Sequence, residues 1–112
     1  MTLAERCEAY VSARRTLKSL ERATPTWPKD LAAEATEAAN RAVAMTAEGA
    51  ALDGPAARRR CARGALAAAI DLAAACDIAR ALGLVDGALE EAQRDTGRTI
   101  ALLGLFFKAS SS

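Results

Sequence analysis

The side chains of this chain best suited to chemistry are eight cations in two groups. Arg14, Lys18 and Arg22 recur at intervals of four with Arg15 beside them, so on a helix they line one flank. Arg58, Arg59, Arg60 and Arg63 crowd together just after Asp53-Gly54-Pro55. Cations so spaced bind anions, either the phosphates of nucleic acid or the carboxylates of an acidic protein surface. The second group falls where a helix should begin, and four cations there oppose a macrodipole that favours negative charge at an N-terminus. A phosphate held by backbone N–H groups and arginines together would relieve that conflict. The plainer reading is a solvated tip, or pairing with Glu48 and Asp53 just upstream, and charge runs more often end that way.

Other kinds of chemistry lack their side chains. The chain has no histidine, which removes Ser-His-Asp and Cys-His arrangements, histidine general bases, and the common zinc and di-iron sites. Asp71 and Asp77 are six residues apart on differing faces of one helix, so pairing with Arg80 or a neighbouring helix is expected rather than joint acid–base work. The seven glycines form neither a P-loop nor a dinucleotide fingerprint. Cys7, Cys61 and Cys76 form no Cys-x-x-Cys, and Cys61 and Cys76 lie roughly 22 Å apart along one helix, too far for a disulfide. Buried, reduced thiols in a cytoplasmic protein are expected. The reading is of a non-enzyme with no metal and no cofactor.

The elements that must carry these residues are helices. Alanine, the strongest helix former, fills 30 of the 112 positions, and the spacing predicts an antiparallel up-down-up-down bundle of four helices in one domain over residues 1–112. Helix one is expected over about 2–23, with a seam of Leu3, Tyr10, Ala13, Leu17 and Leu20; Thr24-Pro25-Thr26-Trp27-Pro28 ends it. Helix two, about 28–51, presents Leu31, Ala35, Ala38, Ala42, Met45 and Gly49, a seam small enough for close approach. Helix three, about 55–82, is apolar on every face from Gly64 to Cys76 except at Asp71, and so should be buried on more than one side. Gly83 is expected to cap it, and Asp86 to start helix four, about 86–108, with a seam of Val85, Leu89, Ala92, Thr96, Leu103 and Phe106.

Ile100, Leu102, Leu103, Leu105, Phe106 and Phe107 crowd the last turns of helix four, more than one stripe can bury. They are the expected subunit interface, and alanine-rich cores, which bury little area per side chain, point the same way. The near-neutral net charge of +1 conceals balances of +2, −3, +3 and −1 over residues 1–28, 29–54, 55–85 and 86–112. The acidic second helix of a neighbouring subunit is therefore another partner for the cations. With charges at its N-terminus no signal peptide is expected, and since the least polar stretch, residues 64–85, is interrupted by Asp71, Asp77 and Arg80, no membrane span is expected either.

A set of motifs runs in order over residues 25–108: Ala-Val-Ala-Met-Thr-Ala-Glu-Gly at 42–49, the arginine-rich entry at 58–63, Ala-Leu-Ala-Ala-Ala-Ile-Asp at 65–71, Ile-Ala-Arg-Ala-Leu-Gly-Leu at 78–84, Gly97-Arg98, and Leu-Leu-Gly-Leu-Phe-Phe-Lys at 102–108. In these the chain resembles the bacterial four-helix-bundle proteins first noticed as reading frames in ribosomal-RNA intervening sequences, whose relatives include the accessory variability determinant (Avd) of diversity-generating retroelements. It departs from their pattern at Met45-Thr46, Ala67-Ala68 and Asp71. The resemblance implies a homopentamer around a central channel, without catalysis of its own; the reading is of an interaction module acting through a protein partner that docks on a face or rim of the ring. The family's retroelement members bind nucleic acid and a reverse transcriptase, for which Arg14, Arg15, Lys18, Arg22, Arg58, Arg59, Arg60 and Arg63 would be the contacts here. Those members are strongly basic, and the near neutrality of this chain argues against that partner.

Overall fold

Between its proline and glycine breaks the chain is nearly all strong helix formers, and each uninterrupted stretch folds as one helix. The computed structural model describes residues 7–109. Helix α1 spans Glu8–Ala23, α2 Lys29–Ala51, α3 Pro55–Ala81 and α4 Gly87–Ala109, with a single 3₁₀ turn at Thr24–Thr26. No strand occurs among the described residues. Leu3, and the part of the expected first helix before Cys7, lie outside them.

Punctuation works through identifiable bonds. Pro55 is the first residue of α3, where its missing N–H costs nothing. At the other end of α3, Gly83 adopts φ +82. Its N–H bonds to the Arg80 carbonyl while that of Leu84 reaches back to Ala79, both at 3.0 Å, the Schellman arrangement that glycine permits. Asp86 caps α4, its Oδ1 accepting from the Leu89 N–H at 2.8 Å.

The helices pack in chain order, α1 on α2, α2 on α3 and α3 on α4, and α4 closes the bundle against α1. The result measures 43 × 23 × 19 Å. Helices α2 and α3 make the most extensive contact, because their buried residues are nearly all small: Ala35, Ala38, Ala42 and Gly49 on α2, and Cys61, Ala65, Ala68 and Ala75 on α3. Gly49 is where this matters most, since a Cβ there would stand 3.0 Å from that of Cys61.

The core divides into two apolar clusters. One, near the α1–α2 turn, gathers Leu20, Trp27, Leu31, Leu72, Cys76 and Leu89. The other, toward the opposite end, gathers Cys7, Ala9, Ala65, Ala69 and Leu103, with Met45, Leu66 and Phe106 packed against them. Hydroxyls join α1 to α4 along their contact. Ser12 and Thr99 oxygens are 2.7 Å apart, Thr16 and Thr99 2.9 Å, and Thr16 Oγ1 donates to the Ser12 carbonyl at 2.9 Å. Each hydroxyl has one proton, so the direction follows: Ser12 donates to Thr99, Thr99 to Thr16, and Thr16 to the backbone. One turn further on, Ser19 donates to the Asp95 carboxylate.

Three expectations about packing are corrected. The buried face of α1 is Ala9, Ser12, Ala13, Thr16, Ser19, Leu20 and Ala23, while Tyr10 and Leu17 sit half-buried at its edge. The paired hydroxyls make a Ser/Thr face as buriable as an apolar one. Val85 precedes α4 and is exposed, so the α4 seam begins at Leu89 and includes Thr99. On α2 the expected seam residue Met45 is half-buried and Thr46 is buried instead. Helix α3 packs against both α2 and α4, with an outer face left open by its own chain, where Ile70 is 52% exposed and Ile78 49%.

Candidate interaction surfaces

The spacing of four along α1 does place Arg14, Arg15 and Lys18 together, around a shallow hollow completed by Val11. The Arg14 guanidinium lies 5.7 Å from the Tyr10 ring centre, which steadies it without neutralising it. Arg22 leans toward α4 and pairs with Glu91 at 3.1 Å. Among the described residues no carboxylate comes within ion-pair distance of Arg14, Arg15 or Lys18.

The arginines of α3 do not converge. Arg58 turns back to the α2–α3 turn and donates to the Asp53 carbonyl at 2.9 Å, so it pairs with that residue's backbone rather than its carboxylate. Its Nε is buried with no hydrogen-bond partner. Arg60 is exposed. Arg63 lies over Phe107 of α4, 5.7 Å from the ring centre. Since α1 and α3 face each other across the bundle diagonal, the two cationic groups are separate surfaces.

The α4 terminus contributes unequally to any interface. Leu103 is fully buried in the bundle's own core, whereas Leu105 is 63% exposed. Ile100, Leu102, Phe106 and Phe107 are half-buried. Leu102, Leu105 and Phe106 join Cys7, Ala9 and Ala50 around an open cavity of about 350 Å³, with Glu8 and Arg58 at its rim.

Sequence reasoning missed a groove between α2 and α3. It measures about 330 Å³, with Ala38, Ala74, Ala75 and Ile78 for its walls and Glu34, Glu37, Arg41 and Asp71 for its polar groups. Arg41 pairs with Glu37 at 3.3 Å and with Asp71 at 3.9 Å, so Asp71 meets an arginine of the neighbouring helix. Three carboxylates around one guanidinium leave the groove negative, and Glu34 has no cation within ion-pair distance among the described residues. The signals available beforehand were Arg41 four residues after Glu37, and Ile78 on a helix of alanines.

Asp77 accepts from the Gln93 amide at 3.2 Å, and Gln93 Oε1 in turn accepts from Arg80 Nε at 3.1 Å, which ties α3 to α4. The three cysteines are buried and unbridged. Burial pushes the Cys76 thiol from its ordinary value of 9.0 up to about 11, helped by the negative charge of Asp77. No group of three or more His, Cys, Asp or Glu residues among the described ones could hold a metal ion, and no described helix is long and apolar enough to cross a membrane. No protein-family model and no curated protein matches the chain.

Proposed function

We propose that this chain is a non-catalytic, cytoplasmic interaction protein that works as a homo-oligomer and docks a protein partner on the assembled surface. The observation that carries the reading is the outer face of α3. Ala67, Ile70, Ala74 and Ile78 follow one another at helical spacing, and both isoleucines keep about half their surface outside the bundle. Exposed leucines and isoleucines are unremarkable singly, but a stripe of them on a well-formed helix marks a surface to be covered. Leu82, Val85 and Leu105 add to the exposed apolar area. The resemblance to the intervening-sequence and Avd-like bundles supports the same reading and specifies five subunits.

Native mass spectrometry of the full chain, purified at low salt without nuclease, tests it. An oligomer, converted to monomer by Ile70→Glu with the helix content unchanged, is the expected result. A monomer at every concentration would overturn the proposal.

A second reading, a nucleic-acid-binding accessory subunit, draws on the cations around Val11, which have no carboxylate within ion-pair distance among the described residues. Repetition of four modest charges in an oligomer raises avidity. Its signature is nucleic acid retained in the same spectrum, with affinity falling steeply in salt and weakened by Arg14→Ala/Lys18→Ala or by Arg58→Ala/Arg59→Ala/Arg60→Ala. Absence of binding at low salt would remove it.

A further inference from the structure

We infer that the α2–α3 groove receives the cationic flank of α1 from a second copy of this chain, head to tail and in the same orientation. The inference rests on the oligomeric reading and names its contact. The two surfaces are complementary. The groove offers Glu34, Glu37 and Asp71 against a single Arg41, over walls of Ala38, Ala74, Ala75 and Ile78. The flank offers Arg14, Arg15 and Lys18 around Val11. Long cationic side chains lay their methylenes on apolar surface while the heads reach carboxylates at the rim, so both kinds of group in the groove find a counterpart.

They also match in height along the bundle. Helices α1 and α2 leave one turn in opposite directions, so positions equally far from it lie level. Lys18 and Glu34 are each five residues from the turn-side end of their helix, about 7.5 Å along the axis. Arg14 lies nine residues away and Glu37 eight, about 13.5 and 12 Å. Cations and carboxylates thus repeat at matching levels on two different flanks of one bundle.

Within one chain the two surfaces cannot meet. The hollow on α1 is lined by α1 alone and Arg22 on the same flank reaches toward α4, while the groove lies beyond α2 on its α3 side. Rotation about an axis parallel to the bundle preserves heights, so a copy so related presents its α1 flank to the groove at the right level. Such a contact leaves a free flank and a free groove at the two ends of any pair, which a closed ring satisfies.

The test is a charge exchange read by sedimentation velocity. Arg14→Glu/Lys18→Glu and Glu34→Lys/Glu37→Lys should each weaken self-association by roughly tenfold or more. The two variants mixed should bind one another in alternation, as pairs and open chains since an odd ring cannot alternate and close. The four changes in a single chain should restore full self-association, which also shows that the substituted helices fold. If the wild type assembles and neither variant weakens it, this contact is wrong while the oligomeric reading stands. If both variants weaken it but neither the mixture nor the combined chain recovers, the pairing of these two surfaces is overturned. A wild type that is monomeric overturns the oligomeric reading itself. A flank that instead retains nucleic acid in the assembled protein overturns the contact, since the same cations cannot serve both.

Discussion

Among single residues, two helical glycines that look alike in the sequence should respond oppositely to a methyl group. At Gly49 the new Cβ meets the Cys61 Cβ at 3.0 Å, an atom held by the α3 backbone, so α2 and α3 must separate. Overpacking should outweigh the gain in helix propensity, and Gly49→Ala is expected to cost about 1 kcal/mol net in urea denaturation. At Gly64 the added Cβ overlaps only the Sδ and Cε end of Met45, a half-buried, flexible side chain that can swing aside. Gly64→Ala should be neutral, or up to about 1 kcal/mol stabilising. Cys76 supplies a pH dependence. Its thiol titrates near 11 when folded against 9.0 ordinarily. The unfolded chain therefore loses that proton first, and the contribution, intact below pH 9, is lost as pH rises toward 11. Cys76→Ala should flatten that part of the curve relative to wild type, measured by denaturation across the same pH range.

At the scale of elements, the helices were legible because their breaks are chemically explicit. Pro25, Pro28, Gly54-Pro55 and Gly83 punctuate the chain, and Asp86 caps as its position suggests. The α2 seam was legible except at Met45, since alanine at spacings of three and four has one interpretation. Met45 is half-buried, while Thr46 is buried with its hydroxyl on the Ala42 carbonyl. What the sequence concealed was the α1–α4 contact. A periodicity search scores Ser12, Thr16, Ser19 and Thr99 as polar and passes to Tyr10 and Leu17 instead, because mutual satisfaction of hydroxyls is a property of two helices at once. This seam makes a sharp prediction. Thr99→Val leaves the Ser12 hydroxyl without its acceptor and the Thr16 oxygen without its donor, and should cost about 1–2 kcal/mol. The triple change Ser12→Ala/Thr16→Val/Thr99→Val removes the whole relay and should cost less than the single one. Thermal melting of the two variants beside wild type decides it; a triple variant weaker than the single would sink this account.

For the whole molecule, charge by segment revealed that one helix is acidic and its predecessor basic, but not on which flanks those charges stand. Only the closed order of helices shows that the α1 cations and α2 carboxylates face apart, and that the cations of α1 and α3 are separate surfaces. Apolar excess at the α4 terminus was legible as a composition, whereas the burial of Leu103 and the exposure of Leu105 depend on the helix's rotation in the bundle. The division of the core into two clusters has a consequence for anyone following this protein by spectroscopy. Trp27, its one tryptophan, belongs wholly to the cluster at the α1–α2 turn. Its fluorescence is therefore a local witness, blind to the half that holds Cys7, Ala65 and Leu103. Emission and helical ellipticity will trace a single curve only if the hydroxyl relay binds the two halves into one cooperative unit, and any gap between the curves would measure how independently they melt.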